Sequence, residues 1–220
     1  MKVGRLLDSY LLEKKIESLL AKRHTSILDK EDYYISAVLL PLIEINNETC
    51  LLFEVRAQDL DVQPGEVCFP GGGVEFNELD RPHEAAVRET SEELGISRED
   101  IKLLGALDTL PTPMGKLIYP FVGKMLTTEI APNREEVDEI FTVPLSFLIT
   151  NSPIKSYTDV ATQYCSDFPF CKIPPTYKKT WQKRWSLPIY YLEYDRFFIW
   201  GITAKILNNF LKLCRPAFQR

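Results

Sequence analysis

Pro82-His83-Glu84-Ala85-Ala86-Val87-Arg88-Glu89-Thr90-Ser91-Glu92-Glu93-Leu94-Gly95 is the stretch on which the reading of this chain turns. Pro82 suits a first helical turn and Gly95 the C′ position, so His83 to Leu94 reads as a helix. At roughly 100° per residue, Glu89, Glu92 and Glu93 fall within an arc of about 100°, while Val87 and Leu94 point the other way. Like charges at these spacings repel by a few tenths of a kcal/mol per pair, so the arrangement gives the helix no local stability. A hard divalent cation reverses that sign, because magnesium takes oxygen ligands and bridges carboxylates to phosphates. Arg88, four residues before Glu92, is placed to orient a carboxylate by a charge-assisted hydrogen bond. Taken alone, the same stretch also describes a solvated helix face with a surface salt bridge.

Immediately upstream, Phe69-Pro70-Gly71-Gly72-Gly73 permits close backbone approach, which suits a carbonyl ligand or a phosphate-facing turn; a bare triple glycine is otherwise a flexible turn. Further out, Tyr33 to Ile45 and Cys50 to Val55 are β-rich apolar runs around Asn46-Asn47, which predicts a hairpin. Gly65 and Pro70 to Gly73 punctuate the loop leading to the helix. Downstream, Ile101 to Leu107 and Leu117 to Met125 read as strands flanking a loop with Pro111, Pro113 and Gly115. Glu135 to Ile140 is a short acidic stretch leading into Val143-Pro144-Leu145. Asn151 to Trp185 reads as loop or irregular strands, Leu187 to Glu193 as a strand, and Phe198 to Cys214 as an apolar helix closed by Arg215-Pro216. At the other end, Leu7, Leu11, Ile16, Leu19 and Leu20 mark an amphipathic helix over Leu6 to Arg23. The organisation expected is a helical segment, 1–30, packed on one domain, 31–220.

A chain of 220 residues, 45% of them hydrophobic, is long enough for one substantial core. Its formal net charge of -5 argues against a general nucleic-acid or membrane-surface binder, so an anionic substrate needs local basic side chains or a bound cation. The five cysteines are scattered and the two histidines are His24 and His83, a poor basis for a zinc site or a disulfide framework. No signal-like apolar region opens the sequence and no uncharged run is long enough to span a bilayer, so a soluble, cytoplasmic protein is expected.

Gly71-Gly72-Gly73-Val74-Glu75, followed by Ala85-Ala86-Val87-Arg88-Glu89-Thr90-Ser91-Glu92-Glu93-Leu94-Gly95-Ile96, resembles the Nudix box of hydrolases acting on nucleoside diphosphates linked to another group. The resemblance implies an α/β/α sandwich around a mixed sheet. It also implies a magnesium or manganese ion held by Glu89, Glu92, Glu93 and a main-chain carbonyl at Gly71 or Gly72, with Arg88 orienting a glutamate. Gly71, Gly72 and Gly73 would face the substrate phosphates. The loop before Ala85-Ala86 is two residues longer than usual, Thr90 stands where an aliphatic residue is usual, and the mid-loop acidic place falls to Glu78, to Asp80 or to neither.

Outside the box, Leu52-Phe53-Glu54-Val55-Arg56-Ala57 and Gly65-Glu66-Val67-Cys68-Phe69-Pro70-Gly71-Gly72 are similar to the upstream signature of coenzyme A pyrophosphatases in that superfamily. The similarity extends through Thr112-Pro113-Met114-Gly115, Asn133 to Leu145 and Ile199 to Ala204. It implies cleavage of coenzyme A or an acyl derivative into 3′,5′-ADP and a 4′-phosphopantetheine fragment. Asp61 and Gln63 stand where the subfamily often has a basic residue and a histidine. Coenzyme A carries a 3′-phosphate, for which Arg56 is the candidate partner; the alternative is a structural ion pair at a strand end. Glu89 is one candidate for the base, and Glu136 or Glu139 the other. Tyr157, Tyr164, Phe168, Tyr177, Trp181, Trp185, Tyr190 and Tyr191 are expected mostly in core or dimer packing, with adenine stacking the other use. Rival readings are a pyrophosphatase for ADP-ribose or a dinucleoside polyphosphate, and a non-catalytic nucleotide-sensing domain. A small-molecule nucleotide is the expected partner, with a homodimer compatible.

Overall fold

The computed structural model describes residues 9–23 and 25–218. Leu6, Leu7 and His24 lie outside them. The chain divides at Tyr33/Tyr34 into two units. In the first, helix α1 (Ser9–Ala21) forms where the amphipathic spacing predicts it, ahead of a 3-10 turn, Lys30–Asp32.

The second unit opens with the predicted hairpin, β1 (Tyr34–Ile45) and β2 (Glu48–Arg56). Asn46 and Asn47 both take left-handed φ values, 51° and 63°, as a two-residue turn matched to strand twist requires. Then come β3 (Val67–Cys68), β4 (Gly71–Gly73), helix α2 (Pro82–Leu94), β5 (Ile101–Ala106), β6 (Leu110–Pro111), β7 (Lys116–Met125), β8 (Val137–Pro144) and helix α3 (Leu145–Thr150). These strands form one mixed sheet of order β3-β2-β1-β7-β5, with β4 on β1, β6 on β7 and β8 on β2. β1 and β7 run parallel; the other pairings are antiparallel. A second sheet of β9 (Ile154–Thr162), β10 (Gln182–Tyr194) and β11 (Phe197–Trp200) precedes helices α4 (Gly201–Leu213) and α5 (Arg215–Phe218).

Strand alternation sorts the apolar side chains into two cores. Ala37, Leu39 and Ile43 of β1, with Cys50 and Leu52 of β2, face α2 through Ala85, Ala86 and Leu94. Leu40 of β1 and Leu51 and Phe53 of β2 face the other way, toward Ala204, Leu207 and Phe210 of α4 and Ile199 of β11. A one-residue slip would exchange the two sets, so burial on both faces pins the register. This is the expected α/β/α sandwich around a mixed sheet.

Four expectations need correction. The glycine triplet is a strand, paired with Ser36 to Val38, rather than a turn. Asn151 to Trp185 contains a full strand, β9, and β10 begins five residues before Leu187, at Gln182, while the irregularity expected of this span is found at Lys183/Trp185. β9 is exposed on both faces, so no apolar alternation marks it; its ladder with β10 defines it. Phe198 to Trp200 are strand, since Asp195 turns the chain at φ 52° and the helix starts only at Gly201; a short apolar run carries no period that separates strand from helix. Within the chain the aromatic set mostly lies outside the core: Tyr157, Tyr177, Trp181 and Trp185 are exposed, Tyr164 stacks on Phe168 and meets Tyr177 edge-on, Phe168 meets Phe170, and Tyr190 packs against the core.

Candidate active site

Ala85, Ala86, Thr90, Glu93 and Leu94 form the buried stripe of α2. Thr90 tolerates that place because its hydroxyl donates to the Ala86 carbonyl at 2.7 Å, hiding its polarity within the helix. The three glutamates share an arc but not an environment. Glu93 belongs to the buried stripe with 4% exposure, Glu89 is half-buried, and Glu92 is exposed.

Each glycine of β4 serves one group of the helix. The Gly71 N–H donates to Glu93 Oε2 at 2.8 Å. A Cβ on Gly72 would lie 2.4–2.6 Å from the Glu89 carboxylate, so only glycine lets that side chain lie against the strand. The Gly73 carbonyl accepts from the Arg88 guanidinium at 3.1 Å. The strand and the helix thus form a backbone-and-carboxylate seam.

Arg88 also makes a two-pronged contact to Glu78, with both distances 3.0 Å, and reaches Glu89 at 2.7 Å and Glu92 at 3.5 Å. Its fork holds Glu78 first and orients Glu89 second. Glu78 is buried and closes a capping box with Glu75, so it, and not Asp80, is the mid-loop acid that the site uses. The Arg88 hydrogen bonds hold the Glu78 carboxyl below the usual carboxylate range.

A residue with no role assigned from sequence joins them. Glu54 follows Cys50 and Leu52 on the α2-facing side of β2 and is 1% exposed. Its Oε1 accepts from the Cys68 thiol at 3.1 Å, and its Oε2 has no hydrogen-bond partner. The signal in the sequence was a charge at an inward position of an otherwise apolar strand. Glu136 also acts electrostatically on Glu54, Glu89 and Glu93. Glu139 does not join them; it pairs with Arg196. Of the two downstream candidates, the fold brings Glu136 to the cluster.

The electrostatics describe a site short of positive charge. Burial, then the Glu54 charge, raises the Glu93 carboxyl to about 9. Burial raises Glu54 to about 7 and also pushes Glu89 up. Among the described residues no three acidic, histidine or cysteine side chains are grouped closely enough to hold a metal ion as they stand, and Arg88 and the Gly71 N–H engage oxygens of Glu89 and Glu93. The donors are nonetheless all oxygen, and the orphaned Glu54 oxygen points to an absent positive partner. That chemistry fits a hard divalent cation such as magnesium or manganese.

A pH dependence follows, with a definite sign. A carboxyl whose folded pKa is raised holds a proton that the unfolded chain has released, so metal-free stability falls as pH rises from the ordinary 4.5 toward about 9. Ligation needs the ionised forms, so divalent-ion affinity rises across the same window. Manganese titrations at about pH 6 and about pH 8.5 should give tighter binding at the higher pH, with a wider melting-temperature gap between loaded and chelated protein. Affinity independent of pH would contradict the assignment.

Beside the seam lies a cavity of about 560 Å³, lined among others by Gly71, Gly72, Cys68, Arg56 and Lys116. Arg56 donates its Nε to the Val62 carbonyl at 3.1 Å, and among the described residues makes no ion pair at the strand end. A second cavity of about 440 Å³ shares Gln63, Glu66 and Ile202 with the first and is walled by Leu110, Pro113, Ile189 and Trp200.

A mixed sheet carrying a glycine strand against an Arg-Glu-x-x-Glu-Glu helix defines a class of pyrophosphohydrolase, and the NUDIX domain family model matches residues 34–158. The chain belongs to the Nudix family and is a Nudix hydrolase. It is 31% identical over 185 residues to the human mitochondrial coenzyme A diphosphatase NUDT8, covering 82% of this chain and 70% of that protein. It is 32% identical to the uncharacterized Nudix hydrolase NudL of Pectobacterium atrosepticum, over 79% of both. Among solved structures, a MutT/nudix family protein from Enterococcus faecalis aligns over 98% of this chain and 76% of its own, with a TM-score of 0.50 at 12% identity, a likeness of fold.

Proposed function

We propose that this hydrolase cleaves the pyrophosphate of coenzyme A or an acyl-coenzyme A, giving 3′,5′-ADP and a 4′-phosphopantetheine or its acyl form, with a magnesium or manganese ion bound. The observation that carries the reading is the pair of cavities beside the carboxylate seam that share Gln63, Glu66 and Ile202, the first carrying Arg56 and Lys116 on a mainly apolar wall and the second walled mostly by apolar side chains, with Lys205 and Asp159 also lining it. A nucleotide with a 3′-phosphate fits the first, beside Arg56 and Lys116, and a pantetheine arm fits the second. The name of the human relative supports the substrate class.

A bound divalent cation supplies charge neutralisation at the bridging phosphates and a more acidic water. Glu89, Glu92, Glu93 and the Gly72 backbone would hold it, with Arg88 keeping Glu89 aligned. Gly71 and Gly73 belong to the strand that carries the phosphates along the seam. The attacking water's proton goes to a carboxylate, either Glu89 or Glu136, both of which the fold sets in one electrostatic cluster.

One substrate panel tests the reading: coenzyme A, acetyl and long-chain acyl derivatives, 3′-dephospho-coenzyme A and ADP-ribose, under a single metal condition, with products identified. Arg56→Ala should raise KM for coenzyme A by roughly ten- to a hundredfold, the worth of one charge-assisted contact, and leave 3′-dephospho-coenzyme A nearly unchanged. Equal loss on both substrates would remove Arg56 from 3′-phosphate recognition. Preference for ADP-ribose would overturn the substrate assignment.

A further inference from the structure

Glu54 is buried where β2 faces α2, a position whose neighbours on the same strand face, Cys50 and Leu52, are apolar core. An aliphatic residue there would continue that core. The chain instead buries a carboxylate with one oxygen on the Cys68 thiol and the other without a partner. A buried acceptor left unsatisfied costs about 1–3 kcal/mol, and more when charged. Its charge acts on Glu93, which is itself buried and satisfied by one backbone N–H. The cations nearby do not resolve this. Arg88 is committed to Glu78, Glu89 and Gly73, and Arg56 lies outside ion-pair distance of Glu54 while bonding Val62. Cys68 donates a neutral, weak hydrogen bond, and burial with the adjacent Glu54 charge keeps that thiol protonated.

We infer that Glu54 is a further cation-binding carboxylate of this hydrolase, so that the metal site extends from the Nudix-box helix across to β2 and takes in Glu54 beside Glu93, Glu89 and Glu136. The inference rests on the metal-dependent reading above but not on coenzyme A as substrate. It accounts for the orphaned oxygen, for a second buried carboxylate, Glu93, within reach of the Glu54 charge, and for a charged residue on an apolar strand face. A magnesium-class ion is the ligand its chemistry suits, being hard, divalent and oxygen-seeking.

The test is made on the substrate-free full chain, with manganese as the probe. Wild type and Glu54→Gln are titrated calorimetrically and by electron paramagnetic resonance, and melted with and without chelator. The expected result is a dissociation constant at least about tenfold weaker for the variant. Its melting temperature in chelator should be equal to or above wild type, since a buried like charge is gone, while its gain on adding manganese shrinks. A structural carboxylate would do the reverse, losing chelator-state stability with unchanged affinity. Affinity within about twofold of wild type overturns the inference while leaving the box-helix site in place. Wild type that binds no manganese at all sinks the metal-dependent reading as well. If Glu54→Gln does not fold, manganese-soaked wild-type crystals decide: an anomalous peak within about 2.5 Å of a Glu54 oxygen supports the inference, and ions found only beyond that distance overturn it.

Discussion

Replacing Glu92 and Glu93 together by glutamine is expected to lower magnesium-dependent kcat/KM by at least about a thousandfold while leaving a folded protein. Several kcal/mol of transition-state stabilisation from a bound cation corresponds to that factor. The change is isosteric and removes charge alone. Glu93 sits in the buried stripe of α2, where its Oε2 accepts the Gly71 N–H, and the amide oxygen of glutamine can accept the same bond. Burial raises the Glu93 carboxyl to about 9, so a neutral side chain relieves rather than strains the metal-free fold. Glu92 is exposed and linked to Arg88 and Arg98 at 3.5 and 3.7 Å, contacts worth little at a surface. Activity should therefore fall without a fall in melting temperature in chelator. Hydrolysis that persists in the double variant would show that these carboxylates do not hold the metal.

The second large effect is on stability. Gly71→Ala should cost roughly 3 kcal/mol or more, lowering the melting temperature by about 6–12 °C for a domain of this size. Gly71 has φ 151°, and an added Cβ would lie 2.3 Å from the Ala37 carbonyl oxygen and 2.6 Å from Val38 Cα. Those atoms are backbone of β1 in the middle of the sheet, so neither can swing aside. The strand would shift and take the Gly71 N–H from Glu93. Gly72→Ala is the informative contrast, because its Cβ would meet the Glu89 side chain, which can move. It should melt near wild type and lose activity by displacing Glu89. Thermal melts paired with activity for the two variants separate the roles; a near-native melting temperature for Gly71→Ala would refute the close approach.

Much of this was readable from local chemistry. The limits of α2 follow from Pro82 and Gly95, which act on backbone torsions within a turn of their own position. The β1–β2 hairpin follows from Asn46-Asn47, which tolerate the left-handed turn, and from the apolar runs on either side. Arg88, Glu89 and Glu93 were visible as chemistry because their spacing on one helix is set by helix geometry alone.

Other features depend on what a segment meets. A wheel gives angles around α2 but not which sector the sheet covers, so it could not distinguish buried Glu93 from exposed Glu92. Glu78 and Asp80 are equivalent until the Arg88 fork is placed against one of them. Glu136 and Glu139 are three residues apart in one strand-entry segment, and only its pairing with β2 sends one to the cluster and the other to Arg196. The glycine triplet reads as a turn when alone and becomes a strand when β1 offers it an edge.

The family signature, the helix that carries the carboxylates and the hairpin that begins the sheet are all legible in short stretches of chain, because propensity, turn chemistry and residue spacing act over a few residues. The tertiary structure decided that Glu54, 35 residues before Glu89, lies in the same electrostatic cluster, and that three glycines each serve one group of the helix. Those meetings are set by sheet order and register, in which contacts form between segments remote in the chain and no local preference records the partner.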